Sequence, residues 1–269
     1  MSFSITNEAP VSFPAVPSGV TRVEYQSGVD AIPDWALIWP PARGNVWTVN
    51  LHGHGSHGDQ YFIGRQDVRE HLWQPVRDAG LGVVTPNLRD NAWMSPAAVR
   101  DLHELLDWIR RRYGATRFLF ISGSMGGNGN LTYAILHPED CSAVVALGAA
   151  PDLAAYCIWA LGNDAGTIQR QIGDAIVSAY GALPGQMPDL YRRHSPLFNT
   201  ERLTMPVFLA HGENDALMPV APMRALAAQL ADRPDCEYVE VAGGDHDSPI
   251  FCASAVPWIL RQVVGLFPE

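Results

Sequence analysis

A chain of 269 residues, 47% hydrophobic and only 17% charged, has the length and apolar content for one large α/β domain with room for a small insertion. Its net charge of −10 and the lack of any basic stripe argue against nucleic acid as a partner, and no apolar run approaches the length of a membrane span. The four cysteines, Cys141, Cys157, Cys236 and Cys252, have no C-x-x-C spacing and are expected to be buried thiols rather than a zinc site or a disulfide set.

Met1-Ser2-Phe3-Ser4 lacks a charged stretch followed by an apolar one, so the cytoplasm is the expected location, with secretion after loss of a leader left open. Residues 1–34 are rich in Pro, Ser and Val and carry a strand signal at Val20 to Tyr25; they are expected to form an N-terminal arm with edge strands, ahead of a main domain over 35–269. Val46 to Leu51 reads as a strand that ends in His52-Gly53-His54-Gly55-Ser56-His57-Gly58-Asp59. Arg65 to Ala79 reads as a helix stopped by Gly80, and Gly82 to Thr85 as a short strand. Beyond that strand, the loop Asn87 to Met94 places Arg89, Asn91 and Trp93 where a ligand could meet them. Trp93 is a candidate platform for an acyl group or a sugar, with simple packing as the alternative.

Ser95-Pro96 opens a helix whose Val99, Leu102, Leu105, Leu106, Ile109 and Tyr113 share one face, and Gly114 closes it. The strands Phe118 to Ile121 and Ala143 to Leu147 follow, separated by a helix-like segment at Leu131 to Leu136. Residues 152–194 break the alternation and are expected to form a small helical cap, in which Trp159, Tyr156 and Tyr180 are candidates for the pocket wall. A strand at Val207 to Ala210, a helix at Val220 to Ala231, a strand at Glu237 to Val241 and a helix at Ala255 to Leu266 complete the chain. Alternation of this kind implies a mostly parallel sheet covered by helices on both faces, with ligands bound beyond the carboxyl ends of the strands.

Ser122-Gly123-Ser124-Met125-Gly126-Gly127 lies between a strand and a helix, where a sharp turn would lift one serine clear of its surroundings. The pattern is S-x-S-x-G, one substitution from the nucleophile elbow G-x-S-x-G. Framing selects Ser124, because Ser122 as nucleophile would need Phe120 to make the tight turn. A serine hydroxyl is a weak nucleophile and needs a base held by an acid. Asp215 is the candidate acid, on the loop His211-Gly212-Glu213-Asn214-Asp215-Ala216-Leu217-Met218-Pro219, with Glu213 as its rival. His246, in Gly243-Gly244-Asp245-His246-Asp247, is the candidate base. The oxyanion formed on acyl transfer needs pre-aimed donors. The N–H of Met125 is one candidate, and that of His54 or Gly53 the other.

These pieces, with Ser195-Pro196 leading to Pro206, resemble an α/β-hydrolase over residues 35–265, most closely the single-domain esterases related to prolyl oligopeptidase and dienelactone hydrolase. The resemblance implies the α/β-hydrolase fold, the chain order Ser124, Asp215, His246, and no cofactor. Two departures stand out: Ser122 occupies a position usually held by glycine, and the early loop reads H-G-H-G rather than H-G-G-G.

The expected activity is hydrolysis of a small carboxylic ester, with acetylated or feruloylated carbohydrate as one substrate class and Trp93, Asn91 and Trp159 as candidate contacts. The alternatives are a peptidase or amidase of the prolyl oligopeptidase type, a hydrolase-like binding protein, and a zinc hydrolase built on His52, His54 and His57. The zinc reading is weakened because Ser56 stands where the H-x-H-x-D-H ligand run has aspartate; no metal is expected.

Overall fold

The computed structural model describes residues 2–11, 13 and 16–262, and in them nine strands form one sheet. The strands are β1 (Ser4–Pro10), β2 (Thr21–Gln26), β3 (Pro33–Trp39), β4 (Val46–Val49), β5 (Gly82–Pro86), β6 (Arg117–Gly123), β7 (Ala143–Leu147), β8 (Val207–Gly212) and β9 (Cys236–Val241), in the order β1-β2-β3-β5-β4-β6-β7-β8-β9. Pairing is antiparallel from β1 to β5 and parallel from β5 to β9. The central parallel strands β4 to β8 are buried along almost their whole length, as continuous apolar runs require when helices cover both faces.

One face packs on α4 (Pro96–Tyr113), α5 (Met125–Leu136) and α9 (Ala221–Leu230), burying Leu102, Leu105, Ile109, Leu131 and Leu226. The other packs on a helical run and on α10 (Ala255–Arg261), burying Phe62, Leu72, Trp73, Val76, Trp258 and Ile259. The expected helix at Arg65 to Ala79 is broken. After α1 (Gln60–Ile63), the chain forms α2 (Gln66–Val68), a π-helical turn Arg69–Trp73, and α3 (Gln74–Asp78). The left-handed Gly114 closes α4 as expected, while the Ser95 hydroxyl before it makes no capping hydrogen bond. Of the expected last helix, residues 263–266 lie outside the described part of the chain.

Between β7 and β8 lie α6 (Leu153–Leu161), α7 (Ile168–Tyr180) and α8 (Pro188–Arg193). They enclose a third apolar cluster of Trp93, Leu153, Tyr156, Ile172, Ile176, Tyr180, Tyr191 and Met218. Tyr180 ties this unit to the loop after β5 by donating toward the carbonyls of Trp93 and Met94. Tyr156 on α6 and Tyr180 on α7 are thus buried packing residues of this three-helix unit rather than walls of an open pocket. No helix among the described residues is long and apolar enough to cross a membrane. All four cysteines are free thiols, with Cys141 and Cys157 buried.

Candidate active site

The carboxyl ends of β4, β6, β8 and β9 converge on one cleft. Ser124 follows β6 directly, with φ 58° and ψ −131°, a left-handed conformation rare in a residue bearing a side chain. The turn is tight enough that a β-carbon on Gly126 would overlap the Leu51 carbonyl and sit 2.9 Å from Ser122 Cβ. That explains the glycine at this point of the elbow. Ser124 Oγ lies 2.9 Å from His246 Nε2, and His246 Nδ1 lies 2.7 Å from Asp215 Oδ2. The loops bearing Asp215 and His246 meet because Gly212, at the end of β8, lets the Asp245 carbonyl approach where a side chain would block it.

Asp215 is buried and fully engaged. Its Oδ1 accepts the N–H groups of Leu217 and Met218, both at 2.8 Å, and its Oδ2 also faces His211 Nε2 at 3.3 Å. Burial by itself would raise its pKa. Hydrogen bonds from His211 and His246, the His246 charge and the backbone donors outweigh this and hold the carboxyl far below its ordinary value. The rival Glu213 instead accepts the Gly243 N–H at 2.8 Å and braces the loop.

Of the expected oxyanion donors, Met125 N–H heads α5, where the first turn leaves amides free. Gly53 is corrected: its N–H is taken by Gln60 Oε1 at 2.8 Å, so it is not available to a substrate. His54 N–H has no partner among the described residues and stays as the second candidate.

The loop after β5 holds the His52 to Gly58 segment in place. It is an unusual backbone, with Leu88, Arg89, Asp90, Trp93 and Met94 all at positive φ. Side chains hold it there: Asp34 accepts the Arg89 N–H at 2.7 Å, and Arg89 pairs with the buried Asp101 at 2.6 Å. From this template Asn91 Oδ1 accepts the Gly55 N–H, Asp90 meets His57 Nδ1, and the Asn87 carbonyl meets His52 Nε2. Trp93 Nε1 donates to His54 Nδ1 at 3.2 Å. An indole N–H can only donate, so the neutral His54 ring carries its proton on Nε2.

None of the three expected substrate contacts, Asn91, Trp93 and Trp159, lines the cleft around Ser124. Asn91 spends its carbonyl oxygen on Gly55. Trp93 is 1% exposed, packed between His54 and Tyr156 of α6, so it offers no platform. Trp159 is 36% exposed but stacks on Tyr156 outside the cleft. The zinc arrangement is also not formed. His52, His54 and His57 each face a separate partner rather than a common point, and burial keeps the pKa of His52 and His54 low.

The cleft holds about 170 Å³, and besides Gly53, His54, Ser124 and His246 it is walled by residues that the sequence did not single out. Ile168 and Ile172, one turn apart on α7, face Ser124 across it together with Leu217 and Ile250, while Gln60, Arg65 and Asp247 form a polar side. Arg65 is engaged within the protein, at 3.1 Å from Asp67 and 3.6 Å from Asp247. Leu217 and His211 lie inside the loop motif already noted, and the Ile168/Ile172 spacing marks a helix face. Gln60 carries no local signal.

Residues 49–200 match the model of the family described as alpha/beta hydrolase fold. The chain belongs to the α/β-hydrolase fold family. A search of curated proteins finds no match to this α/β-hydrolase. Among solved structures, it is similar to an S-formylglutathione hydrolase from Staphylococcus aureus at 15% identity and a TM-score of 0.65, covering 96% of this chain and 100% of the other. An S-formylglutathione hydrolase from Agrobacterium tumefaciens gives 16% identity, a TM-score of 0.64 and coverage of 96% and 99%. A puromycin-hydrolyzing peptidase from Mycobacterium tuberculosis matches at 20% identity and a TM-score of 0.62; the match covers 91% of this chain but only 40% of the peptidase.

In this α/β-hydrolase, His194 couples α7 to the loop after β5, with Nδ1 3.0 Å from Tyr180 Oη and 3.2 Å from the Met94 carbonyl. Burial lowers its pKa to about 4, against an upward pull from the Met94 carbonyl and with a further push down from Arg193. The unfolded chain protonates at about 6.5. The contribution to stability is therefore complete above that pH and is lost as pH falls toward the folded value, by roughly 2–3 kcal/mol. Urea unfolding at pH 7 and pH 4.5 should show this loss, with a shallower pH slope in His194→Gln. An identical slope in the two proteins contradicts the assignment.

Proposed function

We propose that this chain is a serine hydrolase of small carboxylic esters acting through an acyl-enzyme. The observation that carries the reading is the unbroken hydrogen-bonded line from Ser124 Oγ through His246 to the buried Asp215, beside free N–H groups on Met125 and His54. In this reading His246 Nε2 takes the Ser124 proton as Oγ bonds to the ester carbonyl carbon. The carbonyl electron pair moves to oxygen, which is met by the N–H groups of Met125 and His54. The tetrahedral adduct collapses, the alkoxide leaves with the proton from His246, and Ser124 is left acylated. Water, deprotonated by the same imidazole, attacks the acyl carbon, and the proton returns to Ser124 Oγ as the acid is released. Asp215 holds the His246 proton at Nδ1 and stabilises the imidazolium while it exists.

The apolar wall of Ile168, Ile172, Leu217 and Ile250 in a cleft of about 170 Å³ suits a short acyl or small alcohol group. The preference for carbohydrate esters loses its support, since it rested on exposed aromatics and Trp93 is buried. Esters rank above peptides in this reading because the similarity to the two S-formylglutathione hydrolases covers 100% and 99% of those chains. A panel of p-nitrophenyl acetate, butyrate and decanoate against aminoacyl p-nitroanilides tests the ranking. The short esters should be turned over fastest and the anilides poorly. Anilides hydrolysed at ester rates contradict it.

A further inference from the structure

Ser122, two residues before Ser124, stands where the elbow usually has glycine, and its hydroxyl is buried. The oxygen accepts the Leu51 N–H at 2.8 Å and donates to Asn130 Oδ1 at 3.3 Å, and Asn130 Nδ2 donates to the Val145 carbonyl at 2.9 Å. The parallel ladder between β4 and β6 ends at the pair Val49 and Phe120. Leu51 and Ser122 lie two residues further along both strands, in the same register. At this position a side-chain hydroxyl takes the Leu51 amide beyond the last ladder pair. The Leu51 carbonyl is held as well, by Tyr61 Oη at 3.3 Å and by the close approach of Gly126.

We infer that Ser122 is a positioning residue for the oxyanion loop: its hydroxyl extends the sheet by one side-chain rung and fixes the peptide from which His52-Gly53-His54 departs. The same residue lies one turn of chain before Met125. One buried oxygen thereby ties together the two segments that carry the donors, setting the distance between the N–H groups of Met125 and His54. Asn130 fixes the rotor, since by accepting the hydroxyl proton it leaves an oxygen lone pair for Leu51. Glycine or alanine at 122 removes the acceptor, and the buried Leu51 N–H must go unpaired or turn away. Oxyanion donors act only when aimed at where the charge develops, so a small shift of this loop weakens transition-state binding more than substrate binding.

The inference rests on the proposed ester hydrolysis at Ser124, and the test separates the two. Wild type, Ser122→Ala and Ser122→Gly are compared for kcat and KM on p-nitrophenyl acetate, for inhibition by phenylboronic acid, and for exchange of the Leu51 amide hydrogen. The expected result is faster Leu51 exchange, kcat lowered about tenfold with KM within about twofold, and boronic acid binding weakened by the same factor as kcat. If one variant fails to fold, the other supplies the comparison. Faster Leu51 exchange with kcat and boronic acid affinity unchanged overturns the inference and leaves the ester hydrolase intact, as does a loss confined to melting temperature. A wild type that neither hydrolyses the ester nor binds the boronic acid overturns the parent reading and the inference with it.

Discussion

Ser124→Ala should fold as the wild type does and lose p-nitrophenyl acetate hydrolysis by a factor on the order of 10⁴ to 10⁶. The fold should survive because the substitution removes one oxygen whose protein partner is His246 Nε2, at a partly buried position. The elbow backbone does not depend on that hydroxyl, since the Ser124 N–H is held by the Leu147 carbonyl at 2.8 Å and its own carbonyl starts α5 through Asn128 N–H. The positive φ of 58° is as costly for alanine as for serine, so a modest loss of melting temperature is the most that is expected. Circular dichroism and a thermal melt check the fold, and initial rates check the activity. A folded alanine variant that retains wild-type turnover removes Ser124 from the chemistry.

The second large effect is expected at Asp215. Asp215→Asn should lower kcat by about 10⁴-fold, because an amide at this position presents an N–H₂ donor and no longer dictates that the His246 proton sits on Nδ1. Oδ1 of an asparagine can still accept the N–H groups of Leu217 and Met218, so the loop should keep its shape. Glu213→Gln, two residues earlier, is the control. Its carboxylate caps the Gly243 N–H and does not touch His246, so turnover should stay within about threefold of wild type. Steady-state kinetics on the pair distinguish the two acids. A large loss in the Glu213 variant with little change at Asp215 would reverse the assignment.

Much of the frame was readable because parallel strands buried on both faces leave a plain trace. Ala143 to Leu147 is an uninterrupted apolar run and forms β7 with those ends. The outermost strand leaves no such trace: β1, Ser4–Pro10, is mostly exposed and mixes polar and apolar residues without regular alternation. Within the segment expected to be helical, α6 leaves no trace of its own bounds for the opposite reason, since Leu-Ala-Ala-Tyr-Cys-Ile-Trp-Ala-Leu is apolar nearly all round and shows no helical stripe. At the site, the three residues of the Ser124 line were legible because each sits just past a strand end. Trp93 was not, since five positive-φ residues turn its loop inward and convert an apparent platform into a wedge. The competition for Gly53 N–H was hidden as well: Gln60 reaches it across seven residues by a side chain, which no local pattern announces.

The central claim is that the Ser124 oxygen becomes the attacking atom. Its most direct test is to treat the folded wild-type protein with a fluorophosphonate, digest it, and locate the added phosphonyl mass by tandem mass spectrometry. One adduct per chain on Ser124, abolished by prior removal of the His246 imidazole in His246→Ala, is the predicted result. A protein that stays unlabelled, or that carries the mass on a different residue, contradicts the account.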